Sequence, residues 1–270
     1  MSVIFDSIAS TYEAAAVIPH ILGTKLLTRL DVFQFQPHTL LDAGCGTGYE
    51  LRMLQKRYPK AKCVGLDYSQ TMLHQSRYHQ RWWQKSPLLV CSDMQQLPFP
   101  HQQFDLIYAN LSLLWLQNFK QGLLELQRVL KPQGLLLLTM LGPDTFKELK
   151  ATNIMSNSKP YPWAFRDLHD IGDVLSAAKF TDIVMDVEYL EARYASSRQF
   201  QTEIQQLGFH HLLPHHDWTT VQNACSETQK NTAITWEIIY GQAWGSKLPP
   251  EHHHSAEISL PIRRLRRFTV

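Results

Sequence analysis

The chain has 270 residues, with 26 Lys and Arg set against 24 Asp and Glu, and a formal net charge of +2 is too small to mark a partner for nucleic acid or another polyanion. Hydrophobic content of 44% with 19% charged residues suits a soluble globular protein with a substantial core and excludes a disordered chain. No apolar run approaches the ~20 residues of a membrane span, and Met1-Ser2-Val3-Ile4-Phe5-Asp6 lacks a basic segment followed by an apolar one. No membrane association is expected, and the cytoplasm is the expected location.

Taken in chain order, apolar Ile18, Ile21, Leu22, Leu26, Leu27 and Leu30 predict a helix over 18–31, followed by a strand at 39–43. Leu51, Leu54 and Tyr58 mark a helix ending before Pro59, and a second strand runs over 62–66. Met72, Leu73 and Ser76 predict a third helix, which fades into Trp82-Trp83; Leu88–Cys91 and Phe104–Tyr108 are short buried strands. Phe119, Leu123, Leu126 and Leu130 recur at helical spacing up to a stop at Lys131-Pro132, and Leu135–Thr139 is a fifth strand. Fully apolar strands alternating with helices predict a doubly wound parallel α/β sheet covered on both faces. Past Gly142-Pro143 the alternation lapses into a polar stretch with Pro160 and Pro162, read as a lid over about 142–166. A helix at 167–178, a strand at 183–190, a helix at 197–207 and a strand at 233–241 complete one domain over 1–245. The segment 246–270, with His252-His253-His254 and Arg263-Arg264-Leu265-Arg266-Arg267, reads as a flexible polar and basic tail.

The chemistry concentrates between the first two strands. Leu40-Leu41-Asp42-Ala43-Gly44-Cys45-Gly46-Thr47-Gly48 is an apolar run opening into three glycines at alternate positions, and Asp67 follows nineteen residues later at the tip of the next apolar run. Such glycines let the main chain turn off a strand and approach a ligand closely, while the distant acid is placed to accept both hydroxyls of a ribose. Ligands of open parallel sheets bind at the carboxyl ends of the strands. Ser92-Asp93-Met94 and Asn110 fall at two further strand ends, with Asp93 positioned for an adenine amino group and Met94, Leu66 and Tyr68 for its faces. Asp42, Gly44, Gly46, Gly48, Asp67, Tyr68, Asp93, Met94 and Asn110 form the expected cofactor-binding set. The glycine spacing is G-x-G-x-G, and Asp42 two residues upstream would repel a pyrophosphate but suits a cation. The pattern resembles S-adenosylmethionine-dependent methyltransferases, whose cofactor carries a sulfonium and an amino group and no phosphate.

A closer resemblance lies in Phe5-Asp-Ser-Ile-Ala-Ser-Thr-Tyr12, Leu41–Gly48, Asn110-Leu-Ser-Leu-Leu-Trp115, Leu141-Gly-Pro-Asp-Thr-Phe-Lys-Glu-Leu149, His169-Asp-Ile-Gly-Asp173 and Tyr240-Gly-Gln-Ala-Trp244. Together these resemble the malonyl-acyl-carrier-protein O-methyltransferases of biotin synthesis, from about residue 5 to about residue 245. The resemblance implies a mostly parallel, Rossmann-like seven-stranded sheet with an antiparallel last strand. It also implies S-adenosylmethionine as cofactor and methyl transfer to the free carboxylate of a malonyl thioester on acyl carrier protein or coenzyme A. The N-terminal segment of such enzymes closes over the cofactor, which makes Tyr12 a candidate for aiming the substrate. The family carries an Asn-Arg-Phe segment whose arginine is the natural partner of the malonyl carboxylate; here Trp163-Ala164-Phe165-Arg166 stands instead, and Arg166 is the nearest replacement. A Gly-Arg-Arg type segment is likewise replaced by Gly208-Phe-His-His-Leu-Leu-Pro-His-His216. Two alternatives stay open: a methyltransferase for another small carboxylate or metabolite, and a cofactor-binding assembly factor without that activity. The histidines at 210–216 read as a solvated loop, so no metal site is expected. Cys45, Cys63, Cys91 and Cys225 read as structural thiols, and Trp82, Trp83 and Trp115 as packing.

Overall fold

A computed structural model of the chain describes residues 2–80, 86–150, 165–212, 232–246 and 266–269. Its centre is one eight-stranded sheet in the order β3-β2-β1-β4-β5-β7-β6-β8. The strands are β1 (Thr39–Ala43), β2 (Lys62–Asp67), β3 (Leu88–Cys91), β4 (Phe104–Asn110), β5 (Leu130–Leu141), β6 (Thr181–Tyr194), β7 (Thr232–Trp244) and β8 (Arg266–Thr269). β1 to β5 pair in parallel, and β7 runs antiparallel to both β5 and β6. The first seven strands are therefore the doubly wound arrangement expected, with β7 alone reversed. β8 adds a short edge strand parallel to β6, through Leu190↔Arg266 to Arg193↔Thr269. Four residues of the segment read as a tail thus pair with the sheet; 247–265 lie outside the described residues.

The helices are α1 (Ser2–Ala15), α2 (Val17–Thr28), α3 (Tyr49–Arg57), α4 (Gln70–Tyr78), α5 (Phe119–Val129), α6 (Lys147–Lys150), α7 (Leu168–Ala177) and α8 (Ser197–Gln206). α5 shows why the alternation works. Phe119, Leu123 and Leu126 form a buried stripe against the sheet, and the Asn118 side chain caps the first turn by accepting from the Gln121 amide at 3.0 Å. β5 starts at Leu130, before the expected Leu135: Leu130 pairs with Phe104, and an irregularity that includes Gln133 at φ 60° separates this pair from the ladder resuming at Leu106↔Leu135. Leu40, Leu41, Leu106, Ile107 and Leu135–Leu138 are fully buried, the mark of strands covered on both sides.

α1 is an addition to the sequence reading, which located the N-terminal segment without a helix. It packs across α4 and α8, over the carboxyl ends of the strands. The expected lid is described only up to residue 150 and from 165; 151–164 lie outside the described residues, as does Ala164. Trp82, Trp83 and Cys225 lie outside them too. No helix among the described residues is long and apolar enough to cross a membrane.

Candidate active site

The carboxyl ends of β1, β2, β3 and β4 converge on a cleft of about 1040 Å³, open solvent at its mouth included. Its wall divides into two chemically distinct halves. Gly44, Gly46, Asp67, Ser92, Asp93 and Met94 form the polar half, and Phe5, Trp115, Leu116, Leu207 and Phe209 the apolar half, with Tyr12 between them. Phe5 meets Trp115 edge-on at 4.7 Å between centroids, and Trp115 stacks on Phe209 at 5.8 Å. Trp115, read from the sequence as packing alone, is therefore part of the cleft wall.

Gly46 adopts φ +51°, and a Cβ built there would meet no protein atom within 4 Å. The position is left bare for something in the cleft. Its amide donates to Asp67 Oδ2 at 2.8 Å, and the Ser69 amide donates to Asp67 Oδ1 at 2.8 Å. Burial nevertheless outweighs these bonds and pushes the Asp67 carboxyl up to about 6. Behind it, burial pushes Glu50 up to about 7, against a 3.0 Å hydrogen bond from Asn110 Nδ2. Burial, then the Glu50 and Asp67 charges, hold Asp42 well above the carboxylate range. Among the described residues Asp42 Oδ2 is buried without a hydrogen-bond partner. Three carboxyls crowded below one half of a cleft are an electrostatic demand for a cation.

The residues expected from the sequence separate here. Gly44, Gly46, Asp67, Tyr68, Asp93, Met94, Asn110 and Tyr12 all line the cleft. Asp42 and Gly48 do not. Asp42 lies off the wall, its carboxyl held toward the protonated form by burial. Gly48 (φ +78°) caps α3, where an added Cβ would overlap Ser76 Oγ of α4, so its glycine serves close packing. Asn110 reaches the wall, but its side chain is spent on the frame: Nδ2 donates to Pro19 O and Glu50 Oε1, both at 3.0 Å, and Oδ1 accepts from Thr139 Oγ1 at 2.6 Å. Glu50, absent from the sequence reading, joins this network; a glutamate at the start of a helix looks like any exposed first-turn acid until the fold buries it.

A model of the methyltransferase domain family matches residues 41–138. The malonyl-[acyl-carrier protein] O-methyltransferase of Legionella pneumophila is 36% identical, the match covering 97% of this chain and 95% of that protein. That of Gallionella capsiferriformans is 34% identical, over 89% and 88% respectively.

The chain belongs to the malonyl-[acyl-carrier protein] O-methyltransferase family.

Among solved structures, the YcgJ protein of Bacillus subtilis superposes with a TM-score of 0.59 at 18% identity, covering 83% of this chain and 99% of that one, a likeness of fold. Within the malonyl-[acyl-carrier protein] O-methyltransferase family, the glycine loop and carboxylates of this chain fit S-adenosylmethionine. The bare Gly46 cradle admits a close ligand, Asp67 offers ribose acceptors, and the acid cluster with its orphaned Asp42 oxygen favours a cation. Arg166 is a different matter. Its guanidinium lies 4.7 Å over the Phe119 ring at the start of α5, and its Nε is buried without a partner among the described residues. Burial lowers its pKa, with Asp170 opposing. Arg166 is absent from the cleft wall, so the structure does not bring it to Tyr12 and Asp67. Among the described residues, no group of three His, Cys, Asp or Glu is placed to hold a metal ion; of the histidine loop, only the part up to Leu212 is described.

Proposed function

We propose that this protein transfers the methyl group of S-adenosylmethionine to the free carboxylate of a malonyl thioester carried on acyl carrier protein, giving the methyl ester that primes pimeloyl synthesis for biotin. The observation that carries this reading is the end-to-end relationship to the Legionella pneumophila malonyl-[acyl-carrier protein] O-methyltransferase. The two-sided cleft supports it.

When bound, S-adenosylmethionine supplies an electrophilic methyl group on a positively charged sulfur. Asp67 would accept from the ribose hydroxyls, Asp93 from the adenine amino group, and Met94, Leu66 and Tyr68 would flank the ring. Gly44 and Gly46 would offer bare main chain, and Asp42 and Glu50 negative potential beneath. The acceptor needs little chemistry from the protein. A malonyl carboxylate has a reference pKa of about 4 and is ionised at neutral pH, so no general base is required. Phe5, Trp115, Leu207 and Phe209 strip water from it, and positioning supplies most of the rate. Burial, then the charges of Glu50, Asp67 and Glu13, hold the Tyr12 phenol well above its ordinary range. Tyr12 is thus a neutral hydrogen-bond donor, the form suited to aiming a carboxylate.

Arg166 belongs to this reading as a proposed second aiming group, supported by the sequence. Its place against Phe119 favours a second reading, in which the acceptor is another small carboxylate. Incubation with labelled S-adenosylmethionine and malonyl-acyl carrier protein, beside malonate, malonyl-coenzyme A and acetyl-acyl carrier protein, separates the two. Ester formation on the malonyl thioesters is the expected result; transfer only to other acids would favour the second reading, and no transfer with tight cofactor binding would favour the assembly role.

A further inference from the structure

α1 carries an aromatic-acid dipeptide twice, Phe5-Asp6 and Tyr12-Glu13, seven residues apart. Seven residues are close to two helical turns, so the two aromatics share one stripe of the helix and the two acids the adjacent stripe. The aromatic stripe faces the cleft, where Phe5 and Tyr12 are wall residues. The acidic stripe faces the cofactor loops. Asp6 Oδ1 accepts from Ser69 Oγ at 2.6 Å and from the Thr71 amide at 3.3 Å, at the start of α4. Glu13 accepts from Thr47 Oγ1 in the glycine loop and pairs with Arg52 at 2.9 Å. Arg52 closes the ring by donating to the Thr47 carbonyl at 2.9 Å.

Both anchor points adjoin the groups that hold Asp67. Thr47 follows Gly46, whose amide donates to Asp67 Oδ2, and the amide of Ser69 itself donates to Asp67 Oδ1. The helix and the ribose acid therefore hold the same two loops.

We infer that Asp6 and Glu13 are a two-point latch that holds α1 closed over bound cofactor, so that cofactor exchange requires both contacts to open. This rests on the cofactor reading above and adds to it the residues that set exchange. Asp6 and Glu13 are positioning residues: they touch neither reactant, and act by keeping Phe5 and Tyr12 on the wall. Opening the latch withdraws both aromatics together, because they share one rigid helix with the acids.

The test measures dissociation of S-adenosylhomocysteine from the full-length protein by rapid displacement, with circular dichroism as a check on folding. Glu13→Arg and Arg52→Glu each break the ion pair and are expected to speed dissociation about tenfold or more, equivalent to ~1.4 kcal/mol per decade. The exchanged pair, Glu13→Arg with Arg52→Glu, rebuilds the ion pair in reverse, though not the bond to the Thr47 carbonyl, and is expected to recover part of the slow dissociation, as a coupled pair should in a double-mutant cycle. Asp6→Ala, at the far end of the helix, is expected to speed dissociation independently, with KM for S-adenosylmethionine raised more than kcat is lowered. Unchanged dissociation in Glu13→Arg and in Asp6→Ala would overturn the latch, as would accelerated dissociation that the exchanged pair fails to recover, which would signal damage to the loop. A wild-type protein that does not bind S-adenosylhomocysteine would instead bring down the cofactor reading and the latch with it.

Discussion

Asp67 Oδ2 accepts a 2.8 Å hydrogen bond from the main-chain amide of Gly46, so the acid at the end of β2 also sets the shape of the glycine loop after β1. A substitution at either residue acts on both halves of the cofactor site.

Asp67→Ala removes an acceptor for charged hydrogen bonds, worth about 1.5–3 kcal/mol, and S-adenosylmethionine affinity should fall about ten- to a hundredfold by calorimetry. Gly46→Val should abolish measurable binding, because its side chain would project where no protein atom lies within 4 Å. Far-ultraviolet circular dichroism should change little in both. Unaltered affinity in both variants would remove the cofactor from this cleft.

Gly48→Ala should behave oppositely, with a large loss of stability and little direct effect on ligand contacts. Its φ of +78° disfavours a side chain, and the new Cβ would overlap Ser76 Oγ. The two effects together predict about 2–4 kcal/mol in denaturant unfolding. Adding Ser76→Ala should restore part of the loss, the share due to overlap, while the conformational share remains.

The pH dependence of stability and of binding should have opposite signs. Burial raises Asp67 to about 6 and Glu50 to about 7, above ordinary carboxyls, so the folded state binds more protons than the unfolded chain between roughly pH 4 and 7. Stability of the free protein should therefore gain from these groups as pH falls through that window. Affinity for the cationic cofactor should weaken over the same window, as the acids lose charge. Thermal unfolding with and without S-adenosylmethionine at pH 5.5 and 7.5 tests this; a ligand-induced shift in Tm that is larger at the lower pH would contradict it.

Tyr12→Phe keeps the ring on the cleft wall and removes its hydroxyl. It should lower kcat/KM on malonyl-acyl carrier protein by about ten- to a hundredfold, the value of one hydrogen bond to a charged group. Arg166→Ala should lower turnover on malonyl-acyl carrier protein by about tenfold or more, at ~1.4 kcal/mol per decade, if the proposed aiming role holds; a change under about threefold would leave the arginine as packing against Phe119. A tenfold or greater loss in Arg166→Ala would assign it the carboxylate that the family arginine holds, and Ala164→Arg in that background should then restore activity.

What the sequence determined by itself was local. β1 and β3 fall on the predicted residues, because an apolar run ending in glycine or a polar cluster fixes a strand within a few positions; the burial expected of β3 does not follow, since it forms the edge of the sheet and Leu88 is 60% exposed. The glycine loop and Asp67 were legible for the same reason: their chemistry is written in consecutive residues at strand ends. Tertiary structure decided whatever depends on packing between distant segments. It buried Glu50 and gave the Asn110 side chain to Pro19, Glu50 and Thr139. It moved Asp42 and Gly48 off the wall and set Arg166 on Phe119. It also turned Asp6 and Glu13, two ordinary helix-surface acids in sequence, into anchors for loops 63 and 34 residues away. Periodicity tells which face of a helix is apolar; it carries no information on which hydroxyl or arginine will stand opposite the polar one.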